Sequence, residues 1–176
     1  MQSFSRDEQQ RLAARYQYMT TEALLAEIRL AFPPVKMPRK SDLRFHREGC
    51  FHCDYLARDL DKFRGEPVGG AVIWVLHREL SSLSAKGWAW ALPHYLPFCL
   101  ASEAGYNQTE TEFLLYSLAP LEKFEAETRV HLSALSRLQV TCLVHFVEWL
   151  KGHPHWSTYC PSEIEEALDF LKRMEA

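Results

Sequence analysis

No stretch of this chain approaches the ~18 consecutive apolar residues of a membrane-spanning helix, which argues against a helical membrane protein. Cysteine is sparse: five in 176 residues are too few and too unevenly placed for a disulfide scaffold, and the odd count leaves at least one unpaired. Positive charge is not in surplus. The 20 basic and 23 acidic side chains give a net charge of −3, so a general nucleic-acid binder is not expected. Residues 1–15 are polar and lack the apolar stretch and cleavage site of a secretory signal, so the expected compartment is the cytoplasm, where thiols stay reduced. There is no internal repeat, no low-complexity tract and no convincing strand. Gly-x-Ser-x-Gly, His-Glu-x-x-His and Gly-rich phosphate loops are absent as well. Nothing therefore fixes a nucleophile or an electrophile. No catalytic residue is assigned, and the chain reads as non-enzymatic.

Apolar residues make up 47% of the chain and aromatics 12%, which excludes disorder and suits one domain over residues 1–176. Apolar spacing predicts helix over residues 5–32, with a break near Thr20 and Thr21 that leaves residues 1–19 as a loosely attached helix. Pro33 and Pro34 end it, and residues 33–49 read as a basic loop. A short helix is expected near 54–64. Residues 68–83 fit either state and are read as helix from about Ala71. Ser84 suits an N-cap, and Pro93 and Pro97 predict a restart or kink within 88–100. Another short helix falls at 109–118. The clearest runs over 136–150, where Ser136 with Gln139 forms a capping-box pattern and the apolar residues, Leu138 among them, cover most of the circumference. Arg137, Thr141, His145 and Glu148 form its one polar stripe. A last helix follows, with Ser162 and Glu165 as a second capping box. The expected fold is an all-α, single-domain bundle packed around the buried helix 136–150.

The sharpest chemical signal is His46-Arg-Glu-Gly-Cys50-Phe-His52-Cys53. Two cysteines two residues apart can clasp one Zn²⁺ through both thiolates, and His46 supplies a third ligand four residues upstream. A fourth would come from the His153–Cys160 cluster if the two regions meet. The competing reading is a metal-free helix start with Cys50 and Cys53 packed as small apolar groups, and a thioredoxin-like redox pair would need a preceding strand. His145 and His94 are expected as satisfied histidines of the packed interior, not as proton-transfer groups.

Charge is segregated. Residues 1–65 carry a net +3 and the remainder −6; the basic loop holds Lys36, Arg39, Lys40, Arg44 and Arg47. Glu103, Glu110, Glu112, Glu122 and Glu125 lie in a stretch of local charge −5, and these five are the expected partner-binding residues. The functional expectation is a non-enzymatic bacterial protein-interaction domain, in its most concrete form an immunity-type inhibitor binding a cognate toxin. A second copy of the chain is another candidate partner. The alternative is a zinc-binding domain, structural or catalytic, using His46, Cys50 and Cys53; the cofactor is accordingly none or zinc.

The His-x3-Cys-x2-Cys stretch, together with the Leu-Pro-x-Tyr-Leu core at Leu92, Pro93, Tyr95 and Leu96, resembles an uncharacterised bacterial all-helical domain family of unknown function. The resemblance spans roughly residues 20–175. It implies a small helical cytoplasmic protein and brings no reaction, cofactor or catalytic residue.

Overall fold

The computed structural model describes residues 20–46, 48–101 and 109–175. Its regular structure among the described residues is ten α-helices and two short 3₁₀ turns, with no strand; a lone antiparallel bridge joins Arg44 to Leu83. The all-α class is as expected. No described helix is long and apolar enough to cross a membrane.

Helix α1 (Thr21–Ala31) starts where Thr20 turns extended and its hydroxyl accepts the Ala23 amide at 3.2 Å. It ends at Phe32, before two prolines that have no amide hydrogen to donate. The expected helix over residues 5–19 lies outside the described residues. A single turn, α2 (Lys40–Leu43), interrupts the basic loop. Helix α3 (Phe51–Asp61) begins three residues earlier than the sequence suggests, because Cys50 caps it: the Cys50 sulfur accepts the Cys53 amide at 3.4 Å. Helix α4 (Gly70–His77) settles the ambiguous segment as helical, and a 3₁₀ turn follows at Leu80–Ser82.

Helix α5 (Ala85–Ala101) is capped by Ser84, whose Oγ accepts the Gly87 amide at 3.1 Å. Of the restart or kink expected there, the restart does not occur: Pro93 and Pro97 lie inside one element. Each proline removes one backbone donor. Burial of Trp88, Trp90, Leu92, Pro93, Tyr95 and Leu96 supplies packing that outweighs the loss.

The chain then forms α6 (Thr109–Leu118), α7 (Glu125–His131), α8 (Arg137–Gly152), α9 (Trp156–Tyr159) and α10 (Pro161–Glu175). The capping box of α8 is formed in both directions, Gln139 N to Ser136 Oγ at 3.3 Å and Ser136 N to Gln139 Oε1 at 2.9 Å. Ser162 does not cap α10. Pro161 takes the first helical position, which suits a residue without an amide hydrogen.

The expected buried helix α8 is joined by a second well-buried helix, α5. Helix α8 packs against α10, α1 and α9, whereas α5 packs against α1, α2, α4 and α7, and α1 bridges the two. Phe146 and Phe170 fill the first region, Trp88 and Tyr95 the second. Helix α8 is open at its start, where Leu138 is 61% exposed.

Candidate metal centre

The segment between α2 and α3 is held against the 3₁₀ turn and the start of α5. The Phe45 amide donates to the Ser82 carbonyl at 2.9 Å, and the Ser84 amide donates to the Leu43 carbonyl at 2.8 Å. The chain then turns at Gly49, whose φ of 74° lies in the left-handed region that glycine adopts without steric cost. That turn delivers Cys50 to the cap of α3. One helical turn on, Cys53 projects to the same side.

The result is one group. A ring nitrogen of His46 and the sulfurs of Cys50 and Cys53 all lie within 4.8 Å of one another. His46 Nδ1 is 3.5 Å from Cys53 Sγ. A tetrahedral zinc with Zn–S near 2.3 Å and Zn–N near 2.05 Å places sulfur and nitrogen about 3.6 Å apart. The spacing therefore suits the ion without rearrangement of this pair. His46 is exposed, Cys50 half-buried and Cys53 fully buried. Burial pushes the Cys53 thiol above its ordinary value, partly offset by a hydrogen bond to the His46 backbone. Without a metal the Cys53 sulfur is thus a protonated thiol, 3.7 Å from the Ser82 carbonyl that it can donate to.

The surroundings brace the group. Glu79 Oε1 stands 3.3 Å from His52 Nδ1, and Glu79 Oε2 accepts the Ser82 hydroxyl at 3.1 Å, so one carboxylate ties α3 to the turn beneath Cys53. Arg44 pairs with Asp54 on α3. The expected fourth ligand does not arrive. Among the described residues the group stays at three, and Cys160 is buried elsewhere, with Tyr116, Glu112 and Glu163 around it and its thiol pushed up to about 11, chiefly by burial. His155 stacks on Tyr159 with centroids 5.4 Å apart, and its amide donates to His153 Nδ1 at 3.3 Å.

The other sequence candidates have separate fates. The polar stripe of α8 faces the crevice between α1 and α10. His145 Nδ1 meets Glu27 Oε1 at 2.5 Å, Thr141 bonds Glu175, and Glu148 lies 3.3 Å from Lys172. His145 is thus a satisfied histidine, although its partner Glu27 comes from the far end of the sequence. His94 is half-buried, held below its ordinary pKa by burial, and lines an open groove of about 750 Å³ whose rim carries Lys36, Arg39 and Arg64.

Of the five acids expected to bind a partner, Glu103 lies outside the described residues. Glu112 accepts the Tyr116 hydroxyl at 2.7 Å, and Glu125 is clasped by Arg129 and Arg173, each at 2.9 Å. Glu110 is half-buried and lends its backbone carbonyl to Tyr95 at 2.8 Å; Glu122 is exposed. Sequence reasoning missed His131, buried behind Phe45 with ring centroids 4.1 Å apart. Nothing local to residue 131 signals this, because its neighbours come from α5 and the loop after α2. No family model matches the chain, and no curated protein or solved structure matches it either.

Proposed function

We propose that this protein binds zinc, with His46, Cys50 and Cys53 as its protein ligands. The observation that carries the reading is the convergence of one imidazole nitrogen and two sulfurs within 4.8 Å. The donor set is appropriate: two thiolates and an imidazole favour Zn²⁺ over magnesium or calcium, which take oxygen. Bound zinc would fasten the segment 44–50 to the first turn of α3. Its fourth position would be left to water or to an incoming group, on the side where His46 meets solvent.

Zinc measured by elemental analysis in protein purified without chelator tests this directly. The expected result is one zinc per chain, lost in the Cys50→Ser/Cys53→Ser double variant. Added Zn²⁺ at a thousandfold its Kd stabilises a folded binder by about 4 kcal/mol. For a chain of this length that raises Tm by roughly 8–16 °C. Metal-free protein whose Tm does not respond to Zn²⁺ would overturn the proposal.

A further inference from the structure

A second groove, of about 660 Å³, shares no lining residue with the His46–Cys50–Cys53 cluster. Its wall is aromatic and apolar: Phe113 and Tyr116 from α6, and Leu121 and Phe124 from the connection to α7. All four are exposed, which is uncommon for side chains of this size so close together. Its rim is acidic, with Glu127 from α7 and Glu163 and Glu166 from α10, and no lysine or arginine lines it. Neither Glu163 nor Glu166 has a cationic partner among the described residues. Beside the wall, Lys123 Nζ sits over the Phe124 ring at 4.7 Å.

The floor decides what kind of ligand fits. Trp88 is 2% exposed and His131 4%, and both line the groove. Trp88 Nε1 and His131 Nε2 are buried polar atoms without a hydrogen-bond partner. Such orphans are rare and costly in a packed interior; both atoms are closed to solvent, so a ligand group in the groove meets them once the floor side chains shift aside, and relief of that cost favours a ligand that does so. Their polarities differ. Trp88 Nε1 can only donate. His131 Nδ1 lies 2.8 Å from the Leu83 carbonyl, which can only accept, so in the neutral ring the proton is on Nδ1 and Nε2 presents a lone pair. Glu127 Oε1, at 3.6 Å from that Nε2, is beyond hydrogen-bond reach. One donor and one acceptor, on rings whose centroids lie 6.4 Å apart, match the carbonyl and amide of a single residue in an extended peptide, which point to the same side of the strand.

We infer that this groove binds an extended basic peptide segment of a partner protein. One residue's backbone would close the Trp88 and His131 orphans, apolar side chains would rest on Phe113, Tyr116 and Phe124, and arginine or lysine side chains would reach Glu127, Glu163 and Glu166. The groove volume lies within the range of sites that enclose ligands of a few hundred daltons, larger than a lone small cation needs.

The test uses the full chain and three probes: a blocked hexapeptide alternating arginine and leucine, its counterpart alternating glutamate and leucine, and choline chloride. The Trp88 indole N–H is followed by ¹⁵N–¹H correlation spectra, assigned by its loss in Trp88→Phe. Should that variant not fold, triple-resonance assignment of the native protein gives the same signal. The expected result is a saturable shift of that resonance with the arginine peptide only. Labelled-peptide anisotropy should show affinity weakened about tenfold in Glu163→Gln/Glu166→Gln, and binding that fades with added salt. An unmoved Trp88 resonance at millimolar arginine peptide, equal binding of the acidic peptide, or saturation by choline in place of peptide would each overturn the inference.

Discussion

Gly87→Ala probes the contact on which the His46–Cys50–Cys53 cluster is built. A Cβ at this position, in the first turn of α5, would stand 2.9 Å from Leu83 Cδ2, 3.2 Å from Leu83 Cβ and 3.2 Å from the Leu43 carbonyl oxygen. Leu83 and Leu43 are both fully buried, so neither can swing aside. The same two residues carry the crossing that places Phe45 against Ser82, and with it the backbone beneath Cys53. Overpacking of this kind costs about 1–3 kcal/mol, and replacing a helical glycine with alanine returns up to about 1 kcal/mol. The net is a loss of about 0–3 kcal/mol, or a Tm lowered by up to about 12 °C for a chain of this length. Gly70→Ala is the matched control. Its Cβ would lie 3.7 Å from Phe98 Cε2, an ordinary contact, so only the helix gain of up to about 1 kcal/mol applies and Tm should rise. Thermal unfolding followed by circular dichroism measures both; on the proposal that the cluster holds zinc, retention of added zinc during dialysis should weaken severalfold in Gly87→Ala alone. If Gly87→Ala raised Tm as much as Gly70→Ala, the close approach of α5 to the loop would have no energetic meaning.

Three further outcomes follow from the same geometry. Glu27→Ala removes the acceptor of His145 at the junction of α1 and α8, and should cost about 1–3 kcal/mol in urea unfolding; no change would mean that the 2.5 Å contact contributes nothing. Ser136→Ala deletes the reciprocal cap of α8 and should cost about 1 kcal/mol, readable as a lower urea midpoint with an unchanged slope. Burial holds His94, His131 and His153 below their ordinary pKa of 6.5. The unfolded chain therefore takes up protons first as pH falls below about 6.5, so stability is constant above that value and declines beneath it. The decline is at most about 1.4 kcal/mol per pH unit for His131, and less for the other two, which solvent reaches. A urea midpoint that stays flat from pH 7 to pH 5.5 would contradict this.

Helix ends were legible wherever the signal was local. Thr20, Ser84 and the Ser136–Gln139 pair cap their helices as the residue types imply, since a cap needs only a hydroxyl and an amide two or three residues away. Reading failed where tertiary burial overrode a local penalty. Pro93 and Pro97 break isolated helices but are held inside α5 by its packing. Ser162 lost its cap because Pro161 fits the first helical position better.

The same division runs through the sites. The sequence by itself determined the all-α class and the His46–Cys50–Cys53 cluster, because periodicity and short-range spacing act within one or two turns of chain. Only the tertiary structure decided that Glu27 answers His145 across 118 positions, that Cys160 stays away from the His46–Cys50–Cys53 cluster, and that Trp88 and His131 meet under an acidic rim. Those are contacts between distant segments. Their partners are selected by how helices pack, and no local pattern in the chain encodes which face will meet which.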